Sequence, residues 1–322
     1  MILTVTLNTA VDKTLAVPNF RLGRRHRTVE QTTMPGGKGV NVARILKALG
    51  QPVIATGMAG GPTGTRIVEQ LTQLSVLSDF VRIGEESRTN TSVIDPTTGD
   101  QTEINERGPR ITEHEVELFT DKLLYLAKGA TLCVFAGSLP RHVDVEIYAQ
   151  LITELRRRGV YTVVDTDGEP LRRAVRAEPD VISPNVAEAE ELVGHEFNEE
   201  EDSIDAIDQM VRMGAREVIM TTPEGCFANV LAGDPGAGRE LYRVCLSTAI
   251  EVRATVGSGD AFLAGFVAGL YGGRSRVEAL SYGVACGAES TRHLGAGLLD
   301  PASVERLVPR VEVERLALSP AR

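Results

Sequence analysis

The chain reads as an α/β protein: a mostly parallel central sheet covered on both faces by helices in three layers, with a small β-sheet projecting as a lid. Three observations predict this. From residue 110 onward, short apolar runs alternate with stretches of helical period, and a βαβα order implies parallel strands covered by helices. Asn8, Gly137-Ser138, Asp165 and Asn185 each stand directly after a strand-like run, at the strand ends where such sheets bind ligands. Two early stretches alternate polar and apolar residues without helical period, and so belong to a second sheet.

The elements follow in order. Residues 1–8, MILTVTLN, form a first strand. Residues 14–17 with 28–33, and 88–94 with 102–105, are the short strands of the lid, which is assembled from about 13–34 and 88–107 within a single domain spanning 1–322. Val42, Ala43, Ile45, Leu46 and Leu49 recur at helical spacing. Strands at 131–136, 161–165, 181–183 and 217–221 are separated by helices at 113–127, 144–158, 187–193 and 204–213. A late hairpin pairs 227–231 with 240–244 around Gly233-Asp234-Pro235-Gly236. Residues 311–322 are polar and mixed, and are expected to fray.

Composition narrows the function. The 322 residues carry 34 basic and 44 acidic side chains, a formal charge of −10, which argues against a nucleic-acid partner. No run of about 18 apolar residues would span a membrane, and residues 1–8 lack the pattern of a signal peptide. A soluble, cytoplasmic protein is expected. Cys133, Cys226, Cys245 and Cys286 are scattered without a Cys-x-x-Cys pair, so free thiols are expected. Five histidines without paired spacing disfavour a zinc site.

The chemistry is concentrated in Val256-Gly257-Ser258-Gly259-Asp260-Ala261. The helix that follows is apolar almost all round and therefore buried. Its first N–H groups have no intrahelical partner and, with the helix dipole, form an anion site. Gly257 and Gly259 let an anion approach the backbone, and Asp260 adds a carboxylate beside it. Fixed donors for a transferring phosphoryl group with a base at the incoming hydroxyl are what phosphoryl transfer needs. A Gly-x-Gly before a helix is also an ordinary tight turn. Against that bland reading stands a second glycine segment, Pro35-Gly36-Gly37-Lys38-Gly39-Val40-Asn41, which also leads into a helix. It is no P-loop, because Gly39 stands where Ser or Thr is required, and it does not fit a dinucleotide fingerprint. A nicotinamide oxidoreductase is disfavoured accordingly.

Together, Asn8-Thr9-Ala10-Val11-Asp12, the Gly36–Asn41 loop, Glu86-Ser87-Arg88-Thr89-Asn90, Gly137-Ser138-Leu139-Pro140, Pro184-Asn185-Val186-Ala187-Glu188 and Gly257–Asp260 resemble the ribokinase-like (PfkB) sugar kinases. The order and spacing match over essentially the whole chain, with most resemblance to the 1-phosphofructokinase and tagatose-6-phosphate kinase branch. The resemblance implies a ribokinase-like fold, ATP and Mg²⁺ as cofactors, an admissible K⁺, and a homodimer formed through the lid. Asp260 would be the base, with Gly257, Ser258 and Gly259 holding the transferring group. Asp12, Gly36, Gly37, Asn41, Asn90 and Ser138 would hold the sugar, and Lys38, Arg88 and Arg27 of the basic lid segment would face a phosphate already on it. Arginine suits that task because its planar fork binds phosphate bidentately. Asn185 and Glu188, at i and i+3 on one helical face, would serve the nucleotide phosphates and, through Glu188, the metal. Asp165 and Asp167 would support them, and Thr222, Gly225 and Ser290 would contact the nucleotide.

Each residue has a plainer reading: Asp12 a turn carboxylate, Arg88 solvated surface, Glu188 an acid favoured by a helix dipole. Two departures from the family pattern, Thr221-Thr222-Pro223-Glu224-Gly225 and Ser290 where relatives often carry Asn, bear on the nucleotide contacts. The implied activity is phosphorylation of a ketohexose monophosphate. Fructose 1-phosphate is favoured narrowly over tagatose 6-phosphate, and fructose 6-phosphate is third. A free-sugar kinase would leave Arg88 without a phosphate, and a non-catalytic sugar-phosphate sensor is disfavoured by the intact Gly257–Asp260 segment.

Overall fold

A computed structural model describes residues 1–232 and 238–317. The chain opens with β1 (Ile2–Thr6), then lays down β2 (Ala10–Ala16) and β3 (Glu30–Gly36), α1 (Lys38–Ala48), β4 (Val53–Gly60), α2 (Gly61–Gln73) and β5 (Leu77–Ile83). After β6 (Arg88–Ile94) and β7 (Gln101–Asn105) come α3 (Glu113–Leu126), β8 (Leu132–Ala136), α4 (Ile147–Arg157), β9 (Tyr161–Asp165), α5 (Gly168–Arg176) and β10 (Val181–Ile182). The remainder is α6 (Val186–Val193), α7 (Glu200–Met213), β11 (Glu217–Thr221), β12 (Gly225–Leu231), β13 (Arg239–Leu246), α8 (Ser258–Tyr271), α9 (Arg276–Ser290), α10 (Pro301–Leu307) and β14 (Val311–Leu316).

The large sheet has ten strands in the order β14-β13-β12-β11-β10-β9-β8-β1-β4-β5. From β11 to β5 every pairing is parallel, and β12, β13 and β14 add an antiparallel margin. Strands β1 and β8 are buried along their whole length, as parallel strands covered on both faces must be. One face carries α1, α2, α8, α9 and α10 around a core including Ile45, Ile67, Phe266 and Leu280. The other carries α3 to α7 around Phe119, Leu151, Val175 and Met210. Helix α8 is buried from Asp260 to Gly269, so its first turn opens inside the molecule.

The small sheet runs β3-β2-β6-β7. Its register places Asp12 beside Asn90 and Asn90 beside Asn105, with Thr14 beside Ser92 and Ser92 beside Glu103. Since strand side chains alternate at period two, these polar residues share one face.

Two expectations need correcting. Residues 311–316 are not frayed but form β14, hydrogen-bonded antiparallel to β13 at the edge of the large sheet. The small sheet also begins earlier than expected, at Ala10. The turn at 233–236 and the last five residues lie outside the described residues.

Candidate active site

The carboxyl ends of the parallel strands and the polar face of the small sheet bound a cleft of about 560 Å³. At its floor lies Asp260, the third residue of α8, only 6 % exposed. Asn41, from α1, donates Nδ2–H to its Oδ2 at 2.9 Å. Burial pushes the Asp260 carboxyl up to about 7 and nearby Asp165 adds to this, while Lys38 and the Asn41 hydrogen bond oppose it. A base titrating near neutrality both accepts a proton readily and is available in its ionised form.

The turn before Asp260 explains its glycines. Gly257 has φ +79, and a Cβ there would stand 2.5 Å from the Ala296 Cβ, so only glycine fits the left-handed conformation and the close approach. The first bond of α8 runs from Ala261 N–H to Gly257 O. The N–H groups of Gly259 and Asp260 precede that ladder and belong to the orphan donors of a helix start. The Ser258 N–H is not among the free donors expected from the sequence, because it bonds Thr255 O at 3.1 Å.

Opposite the base, the small sheet presents Asp12, whose Oδ1 accepts from Asn90 Nδ2 at 3.0 Å. Burial raises the Asp12 carboxyl, and the Asn90 and Gly37 hydrogen bonds and Arg88 restrain the rise. A Cβ on Gly36 would lie 2.0 Å from the Asp12 carboxylate, so any side chain there would push Asp12 from its place beside Asn90. At one end of the cleft Asn8 Nδ2 reaches Ser138 Oγ and the Leu139 carbonyl, each at 3.4 Å. Beside it Arg88 donates Nε–H to Asn8 O at 3.3 Å and an Nη1–H to Glu106 O at 2.9 Å. Among the described residues no carboxylate pairs with this half-buried guanidinium. Its pKa is lowered by burial, against the more distant pull of Asp12, Asp167 and Glu106.

Lys38 does not join Arg88. Its Nζ lies 2.6 Å from Asp165 Oδ1 and 3.2 Å from Glu188 Oε1, and burial, which would lower its pKa, is outweighed by Asp165, Glu188 and Asp260. Glu188 is raised by burial with Lys38 opposing. Its other oxygen closes a reciprocal cap: Asn185 N–H donates to Glu188 Oε2 and Glu188 N–H to Asn185 Oδ1, both at 2.9 Å. The cap and the cleft-facing carboxylate are one side chain in two roles.

Several expected residues lie elsewhere. Arg27 is exposed on the 21–29 connection and is not part of the cleft wall. Ser290 is buried, its hydroxyl donating to Gly287 O of its own helix at 2.8 Å, so it is not presented to a ligand. Thr222 and Gly225 close a turn on each other and line a neighbouring cavity of about 270 Å³ with Phe197, Glu200 and Arg243. Nothing in the sequence marks Arg44 beyond its standing among the buried residues Val42, Ala43, Ile45 and Leu46 of α1.

The pfkB family carbohydrate kinase model matches residues 5–302. The chain belongs to that family. It is 31 % identical over 319 residues to a 1-phosphofructokinase of Borreliella burgdorferi, covering 99 % of this chain and 100 % of the relative. A tagatose-6-phosphate kinase of Staphylococcus epidermidis is also 31 % identical, over 317 residues, 97 % of this chain and 99 % of the relative. The crystal structure of phosphofructokinase-2 from Escherichia coli in complex with potassium superimposes with a TM-score of 0.85 at 26 % identity, covering 96 % of this chain and 98 % of that one. This PfkB kinase is thus a phosphotransferase acting on a sugar hydroxyl. No helix among the described residues is long and apolar enough to cross a membrane.

Proposed function

We propose that the protein phosphorylates a ketohexose monophosphate to the bisphosphate with ATP, fructose 1-phosphate before tagatose 6-phosphate and fructose 6-phosphate. The observation that carries this reading is Arg88: a half-buried guanidinium in the cleft wall, held by two backbone carbonyls and paired with no carboxylate among the described residues. Taking an arginine partly out of water without a counter-charge is costly, and a phosphate on the substrate supplies that charge in bidentate geometry. Lys38, placed on Asp165 and Glu188, is reassigned from the sugar phosphate to the phosphoryl-transfer side.

In the mechanism, Asp12 and Asn90 orient the sugar hydroxyls, and Asn41, expected at the sugar, is assigned instead to holding Asp260. Asn41 occupies Oδ2 of Asp260, which leaves Oδ1 to take the proton from the attacking hydroxyl. Gly259 and Asp260 N–H groups receive the transferring phosphoryl group, whose charge grows on its equatorial oxygens. Two carboxylates converging on one ammonium form a hard-oxygen donor set suited to Mg²⁺. The described residues include no cluster of three or more acidic, His or Cys side chains able to hold a metal alone, so nucleotide phosphates and water would have to complete its shell. Asp165 and Glu188 would hold it, and it would neutralise nucleotide phosphate charge. Potassium enters the proposal only through the potassium-bound relative.

The small sheet would act as the lid, and its exposed Val29 and Ile104 support pairing of two lids in a homodimer. A sugar-phosphate sensor without catalysis remains the rival of another class; the ionisable base against free N–H donors disfavours it. ADP release with MgATP and each sugar phosphate tests the choice: turnover supports the kinase, and tight sugar-phosphate binding with no ADP would establish the sensor.

A further inference from the structure

Arg44 is the least expected charge in the molecule. It lies on α1, is 5 % exposed, and forms no ion pair shorter than 4 Å among the described residues. Its Nη1 donates to three oxygens: Ala296 O at 2.9 Å, Pro35 O at 3.2 Å and Asn41 Oδ1 at 3.5 Å. Its Nε has no partner. Burial lowers its pKa to about 10, with Asp12 opposing, so the group stays cationic at neutral pH. A buried cation held only by neutral oxygens is costly to keep, and a leucine or methionine would fill the same helical position.

Two routes lead from this guanidinium into the site. The first runs through Asn41, one turn away. Arg44 faces the carboxamide oxygen at 3.5 Å and so supports, from the far side, the orientation that turns Nδ2–H toward Asp260, where it donates at 2.9 Å. With the amide flipped, an oxygen would face the carboxylate and a donor would face a cation, two repulsions at once. The second route runs through residues 295–297. Arg44 holds the Ala296 carbonyl, and a Cβ on Gly297 would stand 2.5 Å from Arg44 Nη1. The adjoining Ala296 packs directly on Gly257, the cap of the phosphoryl-binding turn.

We propose that Arg44 is a positioning residue for the phosphoryl transfer: it supports the amide orientation of Asn41 that holds Asp260, and seats the 295–297 loop against the Gly257 turn. It touches neither sugar nor nucleotide. The inference rests on Asp260 being the base. Misplacing a reacting group by about 1 Å costs as much as 10²-fold in rate, so loss of both tethers should appear in kcat and not in sugar affinity.

The test compares Arg44→Met and Arg44→Lys with the unmodified enzyme, on fructose 1-phosphate over a range of pH. Arg44→Met keeps most of the stem volume and removes every donor. Its kcat is expected to fall by about 10- to 100-fold with KM for the sugar changed less than about threefold. Its acid limb should move to higher pH, because Asp260 loses a donor to its ionised form; of the other charged groups acting on Asp260, Asp165 and Lys38 are untouched, and Asp12 loses the Arg44 cation it acts on. Arg44→Lys, a point charge with fewer directed donors, should fall between the two in both kcat and limb position. If Arg44→Met does not fold, the lysine variant decides alone. A kcat within twofold of the unmodified enzyme and an unmoved acid limb in the folded variant would overturn the proposal. So would a loss carried by KM with the limb unmoved. Asp260→Asn measured in parallel separates the failures: if it is inactive while Arg44→Met is fully active, the positioning role falls and the base assignment stands. If Asp260→Asn keeps its rate, the base assignment falls and this inference with it.

Discussion

Replacing Asp260 by asparagine should cripple the enzyme and stabilise it. The carboxyl has an ordinary value of 3.8, and burial with the neighbouring Asp165 pushes it to about 7. Above pH 7 the side chain is ionised in both the folded and unfolded chain, and the fold carries the full cost of a buried charge. Between pH 7 and 4 the folded carboxyl protonates first and the cost fades; below the unfolded value it is gone. Roughly three pH units at 1.36 kcal/mol each give a cost on the order of 4 kcal/mol at pH 8, net of the opposing pull of Lys38 and Asn41. Asn keeps the shape and can still accept from Asn41. Differential scanning calorimetry at pH 8 should therefore show a Tm higher by a few degrees, and at pH 4.5 the gain should have largely vanished. In the same preparation kcat should be about 10²–10⁴ lower, the usual reach of a general base. A Tm gain equal at both pH values would refute the electrostatic reasoning, and more than half the activity remaining would refute the base.

Other outcomes follow from the same geometry. The pH profile of kcat/KM should fall tenfold per unit below about pH 7 and level off above it, since only ionised Asp260 accepts the proton; a flat profile from pH 6 to 8 would contradict this. Arg88→Ala should cost roughly one to two decades in kcat/KM on a phosphorylated sugar, equivalent to about 1.5–3 kcal/mol, and almost nothing on free fructose. Lys38→Ala, lying among Asp165 and Glu188, should lower both substrates alike; selective loss on the phosphate ester would return Lys38 to the sugar. Light scattering at micromolar concentration should report a dimer, and a lone species near the chain mass of 34.6 kDa would argue against pairing of the lids.

Much of this was legible in the residues because the information is local. The glycines before Asp260 and the apolar helix after it are contiguous in sequence, and period-two alternation marked the small sheet without reference to anything distant. What escaped depends on long-range contacts or on exposure. Lys38 stands beside glycines expected at the sugar, yet its charge is claimed by carboxylates 127 and 150 residues away. Ser290 occupies a family position, but a hydroxyl inside a helix can bond back to the preceding turn, and this one does. Strand β14 looked like a fraying tail because VEVERL lies at a sheet margin, where charged residues blunt the edge. The strand Val53–Gly60, one in from the sheet edge, was likewise not marked, its end interrupted by Gly57 and Gly60. Arg44 offered no motif at all: its partners Pro35, Asn41 and Ala296 are oxygens that any chain possesses.

The central claim is that this fold transfers phosphate to a sugar that already carries one. Its most direct measurement is kcat/KM for ADP release with MgATP on fructose 1-phosphate and on free fructose, followed by identification of the product. The account predicts fructose 1,6-bisphosphate, with the phosphorylated substrate favoured by at least the one to two decades that a closed Arg88–phosphate contact supplies. Equal or better turnover of free fructose would contradict it.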